Sequence, residues 1–448
     1  MNAKWLLTIL ILLGLVVGVV VGQMLYDPDF SISMPDSMHE HATLITIYYF
    51  IGDTVFLGLL KMLIIPLIAT SVIVGVTSVG DFRELGRIGT ITLIYYITTM
   101  AIAAAIGLIL VSWMRPGDRI SPEQKAQAEQ SFDDSESMKK NIEAGPKGLV
   151  GAMQNLVKNI IPRNVVQAAA EGQALPVIFF AILFGIVLTT MGARGAMIVE
   201  FISAVFDAIM VLVNAVIWLT PIGVFGLLAW TVARIGLHVF LDAIGTYMLT
   251  VILGLTIHAV VVLGLVCWLF ARTNPFVYMH QLRQALMTAL GTDSSSATLP
   301  VTIECATENA GVSKRAAGFV LPLGSTINMD GTALYEAVAV VFLAQAYGIE
   351  LALSTLVLVA ITATLAAVGA AGIPSAGLVT MVIVVDTVNE TLVGLEGSPF
   401  IPVAAIGLIV GVDRFLDMIR TTVNVWGDAV GALLVDRIDK RLESNDSA

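Results

Sequence analysis

The sequence predicts an all-α polytopic membrane protein, and three observations carry that reading. Of its 448 residues, 57% are hydrophobic and only 13% charged, with a mean hydropathy of +0.90, far from the balance of a soluble domain. Apolar runs near 5–25, 43–79, 88–114, 174–192, 198–231 and 243–271 approach or exceed the roughly 20 residues that a hydrocarbon core about 30 Å thick requires. Beyond residue 275 the texture changes, because apolar stretches are interrupted by polar and Gly/Pro segments that a simple spanning helix does not contain.

The first run follows a single Lys4 and ends in Gly22-Gln-Met-Leu-Tyr26 rather than a small-residue cleavage site, so it reads as a retained helix and not a signal peptide. Its Gly14, Gly18 and Gly22 have the small-xxx-small spacing that lets backbones approach, for which helix packing is the plain account. The 43–79 run is too long for one upright helix and holds Lys61 and Pro66, so it tilts, kinks or extends beyond the membrane. Residues 26–42 carry acids and no Lys or Arg, whereas Arg83, Arg87 and the tail Arg437, Lys440 and Arg441 mark the positive side. Both termini are then expected in the cytoplasm, with the chain in a cytoplasmic (inner) membrane. The polar 115–147 segment is expected to be an outer loop.

The formal net charge of −11 is concentrated in loops at Asp27–Glu40 and Glu123–Glu143, and no basic patch points to nucleic acid. Cys267 and Cys305 lie in or beside apolar segments without metal-ligand spacing, as buried small hydrophobes do.

Three breaks punctuate the later chain: Thr292–Pro300, Asn328–Thr332 and Gly369–Pro374. Such backbone is tolerated at membrane depth only where protein or a water-filled cavity satisfies it, so the breaks point to a transport site. The first and third read as the tips of two re-entrant hairpins related as an internal repeat.

The strongest chemical signal is Asp413, Asp417, Arg420, Thr421, Asn424 and Asp428, spaced by three or four residues near one helical face within an apolar run. Each charged group there costs roughly 2.5–3.5 kcal/mol at a bilayer centre, so the stripe implies a polar cavity. An Arg fork matches a carboxylate and an aspartate matches an ammonium group. Arg420 therefore reads as an anion receptor, against the alternative of an Asp413/Asp417/Arg420 ion-pair ladder between helices. Asn328, Met329, Asp330, Gly331 and Thr332 offer oxygen ligands to a hard cation, or else contain a satisfied buried aspartate. Ser294, Ser295 and Ser296 supply hydroxyls and helix-start N–H groups to a carboxylate, or simply a cap. Glu336 fits a proton carrier or a paired glutamate at a helix crossing.

At these residues the chain resembles the dicarboxylate/amino-acid:cation symporter family, which includes archaeal aspartate transporters and animal excitatory amino-acid transporters. The match rests on Ser294-Ser-Ser-Ala-Thr-Leu-Pro300, Asn328-Met-Asp-Gly-Thr-Ala-Leu-Tyr-Glu-Ala337, Ala370-Ala-Gly-Ile-Pro-Ser-Ala-Gly-Leu-Val-Thr-Met381 and the 413–428 stripe, in the family's order. The resemblance implies a homotrimer of protomers with eight transmembrane helices and two re-entrant hairpins, arranged as inverted repeats. An inner transport domain would slide as an elevator past a fixed scaffold. On that pattern, 1–114 holds N-terminal helices of the scaffold and part of the transport domain. The polar extracellular loop is 115–147, with scaffold/trimerisation and transport helices at 148–271, the transport core at 272–436 and a cytoplasmic tail at 437–448.

Carried over by resemblance, Arg420 with Thr332 holds a substrate side-chain carboxylate, and Asp417 takes the α-ammonium. Asn424 with Ser295 and Ser296 holds the α-carboxylate, Asp413 orients Arg420, and Thr421, Ile373 and Gly377 complete the set. One implied sodium site joins Asp428 to backbone oxygens of Gly324, Asn328 and Asn424. Another joins Asp330, Asn328, Thr99 and Tyr96, a third uses carbonyls of Thr326 and of the second hairpin near Val368 and Ala370, and Met329 belongs to the implied metal set as well. Glu336 matches the glutamate linked to proton coupling in the animal members. Asp293 stands where archaeal relatives have an arginine, Met418 where animal relatives place its substitute, and Met100 where the pattern has a hydroxyl; that second arginine is absent from both places.

The resemblance implies a non-enzymatic symporter of L-aspartate or L-glutamate with Na⁺, and H⁺ or returning K⁺, as coupling ions and no covalent cofactor. Neutral amino-acid carriers of the family typically lose the arginine at 420, and C4-dicarboxylate carriers lack the aspartate at 417. An ion channel would conduct without saturable uptake. An intramembrane hydrolase would need a base near Ser294–Ser296, where no histidine falls in sequence.

Overall fold

The computed structural model describes residues 3–27, 40–77, 82–122, 125, 161–235, 244–369, 376–392 and 400–446. Every regular element among them is a helix. Helix α1 spans Ala3–Met24, and α2 (Ala42–Tyr49) runs through a π-helical stretch, Phe50–Leu57, into α3 (Gly58–Thr77). Helix α4 is Phe82–Met114, followed by α5 (Val165–Ala170), α6 (Ala174–Thr190), α7 (Ala193–Ile217), α8 (Thr220–Ile235) and α9 (Gly245–Ile257). Two π turns, His258–Val262 and Val266–Phe270, carry α9 onward. The rest comprises α10 (Pro275–Gln281), α11 (Arg283–Thr292), α12 (Ser295–Glu304), α13 (Lys314–Ile327), α14 (Asp330–Ala346), α15 (Leu353–Gly369), α16 (Ala376–Leu392) and α17 (Gly407–Asp446).

Of the predicted spans, 43–79 is found as one long helix and 198–231 is corrected. The 43–79 run is continuous helix from Ala42 to Thr77, with a π-helical stretch at Phe50–Leu57 and Pro66 inside α3. The 198–231 run is two helices, interrupted at Trp218–Leu219. Pro221 lies one residue into α8, where its missing N–H is tolerated.

Five described helices are long and apolar enough to cross a membrane: Ala42–Thr77, Gly86–Arg119, Ala193–Ile217, Gly245–Phe270 and Lys314–Ala346. Their burial separates them: 94% of the apolar window in Lys314–Ala346 is buried, against 17% in Ala193–Ile217. An inner group, α4, α9 and α12–α17, packs about α13 and α14, with α11 against α12 and α17; α1–α3 and α6–α8 flank it, α3 on α12 and α13 and α8 on α11. Helix α17 has 40 residues, about 60 Å of helix at 1.5 Å per residue, and so extends well past a bilayer core.

Packing of α1 on α8 explains the glycine stripe. A Cβ at Gly18 would lie 2.9 Å from the Phe225 carbonyl oxygen, and one at Gly22 2.7 Å from that of Ala229. At one end of the bundle Arg87 (3.5 Å) and Arg315 (3.3 Å) both meet Asp439, joining α4 and α13 to the tail of α17. Arg87 and the basic tail thus share one end, as their grouping in the sequence requires. Cys267 and Cys305 are buried thiols outside any disulfide.

Candidate functional site

The site begins where α13 stops and α14 starts. Asn328 (φ −85°, ψ 80°) and Met329 (φ −106°, ψ 57°) leave helical geometry, freeing backbone and side-chain groups in the buried centre of the bundle. The Asn328 amide Nδ2 donates to Asp428 Oδ1 at 3.0 Å, and the Gly331 N–H donates to Asn424 Oδ1 at 2.7 Å. The break is therefore stitched to α17. Asn424 Nδ2 also reaches Thr332 Oγ1 and Met329 Sδ, each at 3.4 Å. Gly324 has to be small: a Cβ there would lie 2.5 Å from Asp428 Oδ1 and 2.7 Å from the Tyr96 hydroxyl.

Asn328 Oδ1 and both Asp330 oxygens are buried without a hydrogen-bond partner among the described residues. Leaving such groups unpaired is costly. Carboxylate and amide oxygens suit a hard cation, so the residues present fit Na⁺. His258 Nε2 stands 3.2 Å from Asp330 Oδ2, both side chains wholly buried. The Tyr96 hydroxyl donates to the Val320 carbonyl at 2.7 Å. Thr99 bonds back to Tyr95 and Tyr96 of its own helix. Thr326 does likewise to Leu323. Met100 is buried beside them in α4.

One face of α17 carries a guanidinium among carboxylates. Arg420, 2% exposed, holds Asp417 Oδ1 through Nη2 at 2.7 Å and Nε at 3.1 Å. Asp413 Oδ1 lies 3.7 Å from Nη1 and accepts a hydrogen bond from the Tyr335 hydroxyl at 2.8 Å. The guanidinium carbon sits 4.4 Å from the Tyr335 ring centroid, a cation–π distance. Thr421 donates to Asp417 at 3.3 Å. The Arg420 Nη1 group makes no hydrogen bond among the described residues. It faces Gly377, where a Cβ would lie 2.9 Å away.

Both partners of the ion-pair ladder are therefore present, yet the guanidinium keeps an unbonded donor edge toward α16. Glu336 in α14 accepts from Thr380 of α16 through Oε1, while Oε2 has no hydrogen-bond partner among the described residues. It is wholly buried at a helix crossing.

Ser294 is the cap of α12, its hydroxyl accepting from the Ala297 N–H at 3.1 Å. Ser295 and Ser296 form the buried first turn of that helix. Val368 lies in the last turn of α15. Ile373 and Ala370, with most of the second predicted hairpin tip, lie outside the described residues.

Sequence reasoning missed His258, Tyr335, Thr380 and Arg414. The signal that could have found His258 was a lone histidine in an apolar run. Tyr335 and Thr380 carry no such signal, because their roles arise from helices that meet only in the fold. Arg414 lies one helical turn before Met418 and pairs with Asp293 at 2.8 Å.

A buried, membrane-embedded site of carboxylates, an arginine and a broken helix defines a secondary transporter rather than a soluble binding protein. The sequence matches the sodium:dicarboxylate symporter family over residues 7–438, and the chain belongs to that family. It is 39% identical over 431 residues to an excitatory amino acid transporter of Caenorhabditis elegans, covering 85% of this chain and 80% of the relative. It is 36% identical to mouse excitatory amino acid transporter 3, covering 96% and 84%. Against human excitatory amino acid transporter 2 the identity is 38%, over 99% and 81%.

Proposed function

We propose that this symporter carries L-aspartate or L-glutamate, coupled to Na⁺ and H⁺. The observation that carries the reading is the Asp417/Arg420 pair, with the Nη1 edge of Arg420 unbonded and turned toward Gly377. Arg420, assisted by Thr332, takes the side-chain carboxylate. Asp417, steadied by Thr421, exchanges its bond to Arg420 for one to the α-ammonium. Asn424, Ser295 and Ser296 receive the α-carboxylate, Ile373 and Gly377 complete the substrate-binding set, and Asp413 orients Arg420 alongside Tyr335.

Co-transported Na⁺ is held by Asp428 with carbonyls at Gly324, Asn328 and Asn424, and by Asp330 and Asn328 with Met329, Tyr96 and Thr99. A third site uses Thr326, Val368 and Ala370. Supporting the first two is the set of buried Asn328 and Asp330 oxygens that lack hydrogen-bond partners among the described residues. Glu336 carries the proton. Cation binding neutralises Asp330 and Asp428, which favours binding of the anionic substrate, and that shared free energy is the coupling.

The same reading includes eight spanning helices with two re-entrant hairpins, α11–α12 and α15–α16. The inner group is the transport domain, moving as an elevator past a scaffold in a homotrimer. Both termini lie in the cytoplasm and the chain in the inner membrane, with 115–147 outside; K⁺ returns on the empty carrier. Supporting the hairpins is the packing of each pair's two arms on one another.

The test is uptake of radiolabelled L-aspartate and L-glutamate into proteoliposomes under Na⁺ and pH gradients, applied separately and together, with succinate as competitor. Gradient-driven accumulation that succinate does not suppress is expected. Stronger transport of succinate than of either amino acid would assign the site to dicarboxylates, for which the Asp417–Arg420 bond would stay intact.

A further inference from the structure

We propose that Asp293 and Arg414 form a tether that pins the tip of the first hairpin to α17 and so positions the substrate site. The turn between α11 and α12 is two residues long. Asp293 occupies it in left-handed geometry (φ 44°, ψ 34°) and Ser294 in extended geometry. Glycine or asparagine serves such a backbone position better than aspartate, so backbone need does not account for the carboxylate. Its side chain is wholly buried, and a buried carboxylate is retained only with a partner.

The partner is Arg414 Nη1, 2.8 Å from Asp293 Oδ2, on a side chain one-fifth exposed. Arg414 follows Asp413 directly and precedes Asp417 by three residues on α17. Asp293 is within electrostatic reach of Asp413, Asp417 and Arg420. The ion pair thus ties the turn immediately before Ser295 and Ser296 to the stretch of α17 that carries the charged site, and both arms of the hairpin pack on that helix. The ion pair gives Arg414 a carboxylate partner on the hairpin turn, while Arg420 Nη1, without a hydrogen bond among the described residues, faces Gly377. The Arg414 guanidinium lies 5.8 Å from the Trp230 ring on α8. Changes at Asp293 therefore disturb less than changes at Arg414.

The inference rests on the acidic-substrate reading for its consequence, but its first test does not. Hydrogen exchange of residues 291–298 is followed by mass spectrometry on the full chain in lipid nanodiscs, without substrate or Na⁺. Asp293→Asn keeps a residue that tolerates the left-handed turn. It is expected to speed exchange of the 294–298 amides on the order of tenfold, since local opening sets their rate, and Arg414→Gln is expected to act in the same direction. Asp293→Lys should be worse, and Asp293→Lys with Arg414→Glu should recover protection beyond the sum of the single changes.

In uptake assays, Asp293→Asn should raise the substrate KM on the order of tenfold with a smaller change in kcat, as lost ground-state and transition-state binding together require. Unchanged exchange in Asp293→Asn, or strictly additive behaviour of the charge-swapped pair, would overturn the tether. Exchange that responds as expected in a chain that transports no acidic amino acid would leave the tether standing and remove the substrate reading.

Discussion

Asn328 and Asp428 meet at 3.0 Å although 100 residues of chain separate them. The amide sits at the interruption between α13 and α14, the carboxylate on the long last helix, and the hydrogen bond closes one wall of the oxygen-lined region that also holds Asp330. The amide Nδ2 of Asn328 donates to Asp428, and its Oδ1 is buried without a hydrogen-bond partner among the described residues.

Asp428→Asn removes a carboxylate from that region while keeping its shape. The apparent Na⁺ affinity is expected to fall about tenfold or more, the equivalent of about 1.4 kcal/mol, measured as Na⁺-dependent substrate binding by isothermal titration. A Na⁺ dependence identical to that of the parent would remove Asp428 from the cation site.

Arg420→Cys leaves Asp413 and Asp417 buried without their guanidinium. Loss of one partner from a buried charge pair costs roughly 2–5 kcal/mol, so KM for aspartate and glutamate should rise about 30-fold or more. A neutral amino acid is expected to become a better substrate than either acid, read by competition uptake. Glutamate uptake at the parental KM would exclude Arg420 from the site.

Glu336→Gln preserves an acceptor for Thr380 and abolishes exchangeable acid chemistry at the α14–α16 crossing. A Na⁺ gradient should still drive accumulation, whereas an imposed pH gradient alone should drive none. The comparison is of initial uptake rates in proteoliposomes, and retained pH-driven accumulation would place proton carriage elsewhere.

Gly22→Leu tests the α1–α8 seam. The new Cβ would meet the Ala229 carbonyl and the Val232 side chain at 2.7 Å, and overpacking of this kind costs about 1–3 kcal/mol. A lower thermal midpoint with unaltered substrate selectivity is expected in detergent. Unchanged stability would mean that the seam relaxes freely.

The helical spacing of Asp413, Asp417, Arg420, Thr421, Asn424 and Asp428 makes one face of α17 legible in the sequence, because charges are expensive in an apolar run. The break at Asn328–Asp330 is legible for a related reason: polar residues interrupt an otherwise continuous apolar pattern. By contrast, 198–231 reads as one span on hydropathy alone. Leu219 and Trp218 are as apolar as their neighbours, so hydropathy does not mark the interruption there.

What the sequence by itself determined is the solvent of this chain, the helices that lipid demands, and the residue types whose charge cannot be idle in it. Only the tertiary structure decided the pairings: Asn328 with Asp428, Tyr335 with Asp413, Thr380 with Glu336, and Asp293 with Arg414. Local periodicity reports which groups share a face of one helix. The partner across a helix crossing is chosen by packing of segments far apart in the chain, and a buried polar group's need for some partner does not say which one the fold will bring.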